Sequence, residues 1–516
     1  MPHHAAISPA AYLRSRVGRV CVALRGSTVA EMLERAEAAL AESQFLEFRL
    51  DSLPHPAAAL APIAQFLSEH KEAAAIATCR RKAYGGDFNG TLAEELKILT
   101  RAAGSGFALV DLEIESAEEA SEKALGALRE AGAALLISFH DFAGSPDAQA
   151  VFERIQRFAP DYVKIVSTAH CLADSLNLLR WTTERSGDAQ LVAIAMGEAG
   201  IVSRVLSLRA GASFTFAASP DGATTAAGQM TARTLKDLYH IEQIDKATRV
   251  YGVAGNPIAH SLSPLMQNTA FHRERINAVY LPLKTETLED LLTLARELPL
   301  SGISVTMPLK QKVLGALANV DPLTAKLGAC NTIRMGADGK LYGFNTDVAG
   351  IVRPLEKRIP VKGARVLVLG AGGAALAAVY GLVDKGAQVS IWSRKDAAAE
   401  ELAKKASCVH VTRKEIAATE FDVLINATPC GMHGNPHPLP LESDEWHAKL
   451  VFDLVYNPLD TPLLKVARER GIATIQGFEM FVYQGARQFE IWTGKPAPEA
   501  EMLRTVLFAL NKAQPA

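Results

Sequence analysis

Short apolar runs alternate with amphipathic segments along the first half of the chain. Apolar runs of about four to eight residues are typical of strands that are buried on both faces. They predict strands at Val20–Leu24, Phe45–Leu50, Ala74–Thr78, Phe107–Glu113, Ala134–Phe139, Tyr162–Val166, Gln190–Ala195 and Ser213–Phe216. Apolar positions three and four residues apart predict intervening helices at Thr28–Ser43, Pro56–His70, Thr91–Ala103, Ala117–Ala131, Ser145–Arg157 and Leu172–Ser186. This alternation over residues 18–242 predicts a closed parallel (β/α)8 barrel, with a doubly wound open sheet as the alternative.

A glycine turn organises the second half of the chain. The apolar run Val366–Leu369 is typical of a buried strand, and the segment Ala374–Val383 that follows is an amphipathic helix. A second strand, Gln388–Trp392, completes a βαβ unit. Gly370 permits the tight turn, and Gly372 lets the backbone approach a pyrophosphate at the helix N-terminus. The residues predicted to meet a cofactor at this turn are Gly370, Ala371, Gly372, Gly373 and Ala374.

The end of the second strand indicates which dinucleotide binds. A site for NAD favours Asp or Glu near this point, to bind the ribose hydroxyls. Here Ser393, Arg394 and Lys395 follow the strand, and a hydroxyl with two cations suits a 2′-phosphate. The sequence therefore predicts NADP, and a glycine turn that binds no nucleotide is the alternative.

Composition narrows the class of protein. The chain has 516 residues, of which 49% are hydrophobic and 21% charged, as in ordinary globular proteins. A formal charge of −2 gives no basic surface for nucleic acid. No apolar run reaches the length of a membrane helix, and the first seventeen residues lack the apolar core of a signal peptide. The six cysteines form no C-x-x-C pair, so we expect a reducing cytoplasmic setting and no metal site. No pattern specifies an oligomeric state.

Charged residues, a histidine and a serine lie together at the predicted carboxyl ends of the barrel strands, where barrel active sites lie. They are Glu47, Arg49, Asp51, Arg80, Ser138, His140, Asp141, Lys164 and Arg204. Lys164 lies inside an apolar strand, and loss of water there should lower the pKa of its ammonium group towards the range of an amine nucleophile. A structural lysine that snorkels or pairs is the alternative. The histidine and arginines on the same rim favour a catalytic role.

These residues carry a resemblance to type I 3-dehydroquinate dehydratases over essentially all of 18–242. The motifs that match are LEFRLD at 46–51, SFHDF at 138–142, DYVK at 161–164, MGEAGIVSR at 196–204 and AGQ at 227–229. The resemblance implies that Lys164 forms an imine with the substrate ketone and that His140 moves the protons. It also implies that Arg204 holds the substrate carboxylate. The same resemblance assigns positioning of the ring hydroxyls and the loop to Glu47, Arg49, Arg80 and Gln229.

The chain departs from the family pattern at two points. The family usually has a Glu before the Gly-Gly that follows the third strand, where it orients the histidine, but this chain has Tyr84. Asp141 or Glu47 is then the expected substitute. In the lid, Thr225 stands in place of the usual Ser and keeps the hydroxyl.

A second group of polar residues lies near predicted strand ends after residue 249. Lys310 follows a strand that breaks at a proline, and Asn331 and Asp347 belong to segments predicted to end two short strands. A lysine, a carboxylate and amides in one pocket suit reduction of a ketone on a polyol. A surface salt bridge between Lys310 and Asp347 is the alternative.

Residues 249–516 resemble shikimate dehydrogenases. The matching motifs are GNPIAHSLSP at 255–264, SVTMPLK at 304–310, GACNT at 328–332, GFNTD at 343–347, NATP at 426–429 and DLVYNP at 453–458. The resemblance implies that Lys310 and Asp347 are the catalytic pair and that Thr428 and Met480 touch the cofactor. The shikimate contacts that it implies are Ser261, Ser263, Thr306, Asn331, Tyr456, Gln484 and Gln488.

The combined prediction is a bifunctional α/β enzyme that dehydrates 3-dehydroquinate and then reduces 3-dehydroshikimate to shikimate with NADPH. Its fold is an N-terminal (β/α)8 barrel followed by a two-lobed dehydrogenase with a Rossmann-type NADP lobe. The predicted divisions are a tail at 1–17, the barrel at 18–242, a polar linker at 243–248, a substrate lobe at 249–350 completed by 480–516, and the NADP lobe at 351–479. Two alternatives are an NAD-linked quinate dehydrogenase in the second half, and a barrel reduced to a binding module.

Overall fold

The computed structural model describes residues 18–259, 261–298 and 300–512, and the predicted N-terminal tail lies outside them. The chain divides into two units. One contains the described residues up to Arg249 and a segment that begins at Leu281. The other contains Val250–Tyr280 and the chain from Leu300 onward.

Eight parallel strands form the sheet of the first unit. They are β1 Val20–Leu24, β2 Phe45–Arg49, β3 Ala74–Thr78, β4 Leu109–Glu113, β5 Ala134–His140, β6 Tyr162–Thr168, β7 Gln190–Met196 and β8 Thr215–Ala217. Their order is β7-β6-β5-β4-β3-β2-β1-β8. At the seam the amide of Ser213 donates to the carbonyl of Leu191 at 2.7 Å, just before β8, and this bond completes the ring. The predicted barrel is therefore confirmed over the doubly wound alternative.

Helices follow the barrel strands as predicted, with one difference. They are α1 Val29–Leu40, α2 Pro56–Glu69, α3 Leu92–Ala103, α4 Ile114–Glu119, α5 Glu122–Glu130, α6 Ala148–Gln156, α7 Leu172–Arg185 and α8 Ile201–Leu206. The single helix predicted at Ala117–Ala131 is two helices. Ser121 breaks it, because its backbone is extended and its hydroxyl accepts the amide of Ala124 at 3.3 Å as an N-terminal cap.

The inner face of the barrel changes from apolar to charged along the strands. Phe45, Ile76, Leu109 and Tyr162 belong to a buried apolar cluster. Because successive side chains of a strand alternate between faces, residues two positions further along share the inner face. The polar ends of the strands therefore lie directly above the apolar core.

A mixed sheet of six strands has the order β10-β9-β11-β13-β14-β12. They are β9 Arg249–Gly255, β10 Ala278–Lys284, β11 Leu300–Val305, β12 Asn319–Val320, β13 Thr332–Met335 and β14 Leu341–Phe344. β11 runs parallel to β9, whereas β13 runs antiparallel to both β11 and β14. The start of β13 therefore lies beside the ends of its two neighbours.

A second sheet of six parallel strands has the order β17-β16-β15-β18-β19-β20. The strands are β15 Arg365–Leu369, β16 Gln388–Trp392, β17 Val409–His410, β18 Glu420–Asn426, β19 His447–Asp453 and β20 Ala473–Ile475. The chain order reverses direction between β15 and β18, which is the switch point where doubly wound sheets bind dinucleotides. The predicted Rossmann-type lobe is therefore confirmed.

The remaining helices complete both units. They are α9 Ser263–Arg273, α10 Leu288–Glu297, α11 Pro322–Leu327, α12 Asp347–Glu356, α13 Gly373–Asp384, α14 Asp396–Ala406, α15 Arg413–Ala417, α16 Pro462–Glu469, α17 Gly477–Thr493 and α18 Glu499–Lys512. Among the described residues, none of the helices combines the length and the apolar character needed to cross a bilayer.

Helix α17 packs tightly on the mixed sheet at its C-terminal end. The indole N–H of Trp492 donates to the carbonyl of Ile333 at 2.9 Å. A Cβ placed at Gly302 of β11 would lie 2.3 Å from that indole nitrogen. Only glycine therefore fits beneath the indole without a shift of the ring.

We predict that Gly302→Ala destabilises the second unit by about 1–3 kcal/mol, because it overpacks the contact with Trp492. The measurement is the urea midpoint of the unfolding transition, followed by tryptophan fluorescence. Gly315→Ala is the matched control in the same unit, since a Cβ there meets nothing within 4 Å. An unchanged midpoint for Gly302→Ala would contradict the packing argument.

Candidate active sites

A cavity of about 90 Å³ opens at the carboxyl ends of the barrel strands. All of the barrel residues predicted to act on substrate line it. They are Glu47, Arg49, Arg80, His140, Lys164, Arg204, Thr225 and Gln229. The fold thus brings together side chains from five strands or strand-end loops and from the segment that carries Thr225 and Gln229.

Lys164 lies at the centre of a buried group of charges. Its side chain is only 5% exposed, and its Nζ donates to Oδ2 of Asp111 at 3.0 Å. Oε1 of Glu47 lies 3.6 Å from the same nitrogen. The ring of Phe216 lies beneath it, with its centroid 4.1 Å from Nζ. The sequence showed that Lys164 is buried, and the structure adds two carboxylates within 3.6 Å of its nitrogen.

Strand register explains why these groups meet. Ser138 is paired with Lys164 on one side and with Glu113 on the other. Its hydroxyl bonds to both Asp111 and Glu113, which are two residues apart and share the inner face of β4. Burial alone would raise the pKa of Asp111, but Lys164 and Arg80 hold that pKa below its ordinary value.

His140 is oriented by a carboxylate that the sequence analysis did not identify. Its Nδ1 lies 2.9 Å from Oε1 of Glu113. The two expected substitutes are wrong, because Asp141 accepts the amides of Ala143 and Gly144, and Glu47 accepts the hydroxyl of Thr78 at 2.7 Å. Burial and the nearby charges of Arg80 and Lys164 lower the pKa of His140 well below 6.5, so the imidazole is neutral near pH 7.

Arg204 differs from the other buried charges of this site. It is 2% exposed, and one guanidinium nitrogen donates to the carbonyl of Phe216 at 3.0 Å. Its Nε has no hydrogen-bond partner, and no carboxylate of the described residues pairs with it. Burial lowers the pKa of Arg204 to about 10. An unpaired guanidinium that faces a cavity is suited to bind an anionic group.

The segment above the cavity is held by its own side chains. Oε1 of Gln229 accepts the amide of Thr225 at 2.7 Å, and the Thr225 hydroxyl lies 3.2 Å from the same oxygen. Gly228 has a φ of +72°, and a Cβ there would lie 2.4 Å from the carbonyl oxygen of Gly197. Glycine is therefore required where this segment crosses the loop after β7.

Asp111 and Glu113 are functional candidates that the sequence analysis missed. The sequence contains a sign of their importance, because Asp111 and Glu113 are two carboxylates on the same face of an otherwise apolar strand. Charges in an apolar strand indicate a functional site here just as Lys164 does in β6.

A second cavity, of about 420 Å³, lies in the second unit. It is lined by all of the predicted shikimate contacts, the predicted catalytic pair and one predicted cofactor contact. They are Ser261, Ser263, Thr306, Lys310, Asn331, Asp347, Tyr456, Met480, Gln484 and Gln488.

Asn331 and Asn345 hold the predicted catalytic pair in place. Nζ of Lys310 donates to Oδ2 of Asp347 at 2.9 Å, and the Asn331 amide donates to Oδ1 at 2.8 Å. Oδ1 of Asn345 accepts the backbone amide of Asp347 at 3.0 Å. Asp347 is therefore fixed from both sides, while Lys310 stays one-third exposed to the cavity. The pair belongs to a cleft, which argues against a simple surface salt bridge.

The prediction that the segment 328–332, which contains Asn331, ends a strand is wrong. Asn331 immediately precedes β13, whereas Asn345 follows the end of β14. Because β13 and β14 run antiparallel, the start of one lies beside the end of the other. The two amides reach the same edge for this reason.

The two glutamines of α17 have different surroundings. Gln488 is 2% exposed, accepts the hydroxyl of Ser304 at 2.8 Å and donates to the carbonyl of Asn331 at 3.2 Å. Gln484 is half-buried, and its amide donates to the carbonyl of Phe481 in the same helix at 2.8 Å. Gln488 therefore braces the wall of the cavity, and Gln484 is freer to turn towards a ligand.

The glycine turn has the shape that a dinucleotide phosphate needs. Gly370 has a φ of +117°, and a Cβ there would lie 2.9 Å from the carbonyl oxygen of Ala427. A Cβ on Gly372 would meet nothing within 4 Å, so the space beside it is open. Helix α13 begins there without a capping side chain, which leaves its first amides available to an anion. These residues fit the pyrophosphate of a dinucleotide.

The other predicted cofactor residues border the same switch point. Ser393, Arg394 and Lys395 follow β16, and both cations are exposed without an ion-pair partner among the described residues. Thr428 follows β18, where its hydroxyl donates to Oδ1 of Asn426 at 2.6 Å. Met480 lies on α17 and lines the substrate cavity.

Four family models match this chain. The type I 3-dehydroquinase model matches residues 20–246. The model of the shikimate dehydrogenase substrate-binding domain matches 253–333, the shikimate/quinate 5-dehydrogenase model 355–433, and the shikimate 5′-dehydrogenase C-terminal domain 477–507.

Individual relatives cover the chain to different extents. A chloroplastic bifunctional 3-dehydroquinate dehydratase/shikimate dehydrogenase of Arabidopsis thaliana is 35% identical over 82% of this chain and 73% of its own length. A shikimate dehydrogenase (NADP(+)) of Methanosarcina acetivorans is 38% identical over 51% of this chain and 99% of its own. The solved shikimate 5-dehydrogenase of Thermus thermophilus, in complex with NADP(H) and shikimate, is 34% identical with a TM-score of 0.47. It corresponds to 51% of this chain and to 100% of that chain.

Fold, cavities and family matches together define an enzyme with two active sites, a lyase in a (β/α)8 barrel and an oxidoreductase in an α/β dehydrogenase. The chain belongs to the family of bifunctional 3-dehydroquinate dehydratase/shikimate dehydrogenases of the shikimate pathway.

We predict that the imidazole of His140 stays neutral well below pH 6.5, because burial and two neighbouring cations disfavour the imidazolium form. The measurement is the ¹⁵N resonance of the ring, followed by NMR as the pH is lowered. A His140→Asn variant identifies that resonance. Protonation at or above pH 6.5 would contradict the electrostatic reasoning.

Proposed function

We propose that the barrel dehydrates 3-dehydroquinate to 3-dehydroshikimate and that the second unit reduces this product to shikimate. The observation that carries the proposal is a buried lysine and a histidine in one cavity, and a lysine–aspartate pair in the other, with an open glycine turn in the same unit as that pair. The product of the first reaction is the substrate of the second.

In the barrel, Lys164 is the nucleophile. The amine attacks the substrate ketone in its neutral form, so a proton first leaves Nζ, and Asp111 and Glu47 are the nearest carboxylates to hold it. The carbonyl oxygen leaves as water, and the resulting imine acidifies the adjacent carbon. Hydrolysis of the imine after elimination restores Lys164.

His140 transfers the protons of the elimination. Its neutral ring takes a proton from the carbon beside the imine, and the imidazolium then gives a proton to the departing hydroxyl, which leaves as water. Its low pKa makes the imidazolium a strong acid for the second step. Arg204, which lacks a carboxylate partner within the protein, would bind the substrate carboxylate.

In the dehydrogenase, Lys310 and Asp347 handle the proton that accompanies reduction. Lys310 donates to the developing alkoxide, and Asp347 holds the lysine at 2.9 Å. Bound NADPH supplies the hydride to the ketone carbon. The open glycine turn fits its pyrophosphate, and Ser393, Arg394 and Lys395 are suited to its 2′-phosphate.

We also propose a cytoplasmic setting, with small-molecule substrates and NADP as ligands and no nucleic-acid or membrane partner. The described residues contain six free cysteines, of which four are buried. Persistent free thiols are typical of a reducing compartment.

We predict that borohydride traps an adduct of 3-dehydroquinate on Lys164, because reduction turns the imine into a stable secondary amine. Mass spectrometry of the peptide that carries Lys164 detects it. Lys164→Arg should give no adduct and lose dehydratase activity by at least about 10³-fold, with the dehydrogenase rate unchanged.

Lys310→Met is the reciprocal control in the other cavity. It should keep the adduct and the dehydratase rate while the dehydrogenase rate falls about 10²-fold or more. A barrel that forms no adduct and does not dehydrate 3-dehydroquinate would be a binding module, and the proposal would be wrong.

We predict that Arg394→Gln and Lys395→Gln each raise KM for NADPH about tenfold, because each removes a charge-assisted contact to the 2′-phosphate. KM for NADH should change less than about twofold, since NADH lacks that phosphate. Steady-state kinetics with both cofactors is the measurement, and Lys404→Gln in the same lobe is the exposed-lysine control. Preference of the unsubstituted enzyme for NAD and quinate would instead support the quinate dehydrogenase alternative.

A further inference from the structure

The carboxylate that faces the catalytic histidine of this chain comes from β4. The loop after β3 contributes Tyr84, which precedes Gly85-Gly86. The hydroxyl of Tyr84 donates to Glu119, and the guanidinium of Arg81 lies over its ring, 4.9 Å from the centroid. Tyr84 is thus engaged outside the cavity, among whose lining residues it is not found.

Glu113 is held with both carboxylate oxygens engaged. Oε1 lies 2.9 Å from Nδ1 of His140. Oε2 accepts the hydroxyl of Ser138 at 2.7 Å and lies 2.9 Å from Nε of Arg80. The side chain is 2% exposed, so solvent does not compete for these contacts. A carboxylate fixed in this way can hold an imidazole in one orientation.

Backbone register makes the arrangement rigid. Glu113 and Ser138 are paired residues of adjacent parallel strands, and His140 is two residues beyond Ser138 on the same face. Tyr84, by contrast, ends a short 3₁₀ turn in the loop after β3. A strand positions a carboxylate more firmly than a loop does.

We propose that Glu113 is the positioning residue for His140 in this chain. The inference rests on the proposed dehydratase function. Glu113 accepts the N–H at Nδ1, so the lone pair of Nε2 is free to take the substrate proton. The same carboxylate also stabilises the imidazolium formed in that step.

The contact with Arg80 extends this role to substrate binding. The carboxylate lies between the two groups, with Oε1 2.9 Å from Nδ1 of His140 and Oε2 2.9 Å from Nε of Arg80, a cation of the cavity wall. The charged groups around the imidazole besides Glu113 are Arg80, Lys164, Asp111 and Arg49.

The test is Glu113→Gln in the full-length protein, which keeps the side-chain shape and removes the charge. The dehydratase kcat should fall about 10²-fold or more, because the imidazole is free to adopt the wrong tautomer. Borohydride trapping of the imine on Lys164 should persist, since that step precedes proton removal. The ring ¹⁵N shifts of His140 should report the change of tautomer.

Glu119→Gln is the matched control, because it removes the carboxylate that binds Tyr84 and leaves Glu113 in place. Its dehydratase kcat should stay within about twofold of the unsubstituted value. Dehydrogenase activity of the same chain reports that each variant folds. Ser138→Ala is the second variant, since it removes one contact of Glu113 and should lower kcat in the same direction by a smaller factor.

The inference is overturned if Glu113→Gln keeps kcat within about threefold with unchanged ¹⁵N shifts, or if trapping is lost in proportion to kcat. If Glu113→Gln does not fold, an unchanged kcat for Ser138→Ala overturns it. These outcomes differ from failure of the proposed function, in which the unsubstituted protein itself forms no adduct.

Discussion

Mutual neutralisation of buried charges is the constraint on which the barrel site depends. A lysine ammonium in the interior of a barrel is costly unless counter-charges lie within a few ångströms. Asp111 at 3.0 Å and Glu47 at 3.6 Å supply them for Lys164, and Glu113 lies 2.9 Å from Nε of Arg80. Lys164 and Arg80 both lie near Asp111, so removal of one charge changes the balance around the others. The site is therefore a single electrostatic unit whose members depend on each other.

Strand geometry makes this unit possible. In a parallel barrel the carboxyl ends of all strands meet at one rim, and alternate residues share the inner face. Ser138 illustrates the consequence, because its neighbours in register are Glu113 and Lys164 and its hydroxyl also reaches Asp111. The apolar side chains lower in the barrel hold these strands in place, and the strands in turn position the charged side chains at their ends.

The sequence was sufficient for the barrel, for the Rossmann-type lobe and for the residues that line both cavities. Lys164 is conspicuous because it interrupts an apolar run, and Gly370 because only glycine tolerates its φ of +117° beside Ala427. Partners across strands were harder to predict, since periodicity within a strand does not say which residue lies beside it. Glu113 was missed as the partner of His140 for this reason.

Strand direction was the second feature that could not be predicted from the sequence. The predicted position of Asn331 relative to its strand was wrong. A hairpin of two short antiparallel strands gives the same apolar pattern as two parallel strands, so the pattern did not reveal the strand direction. The break at Ser121 followed from a cap hydrogen bond, which competes locally with helix continuation and leaves the apolar period intact.

The two cavities differ in how their charged side chains are paired and in how far those side chains are exposed to solvent. In the barrel most charges are neutralised within the protein, and Arg204 keeps an unfilled Nε and no carboxylate partner among the described residues. A substrate carboxylate would complete that pairing, so the cost of burying Arg204 favours anionic ligands before any other contact is made. In the dehydrogenase, Lys310 is one-third exposed and Asp347 is fixed by two asparagines. The Lys310 side chain is therefore open to water, whereas Lys164 is 5% exposed and enclosed by the carboxylates of Asp111 and Glu47.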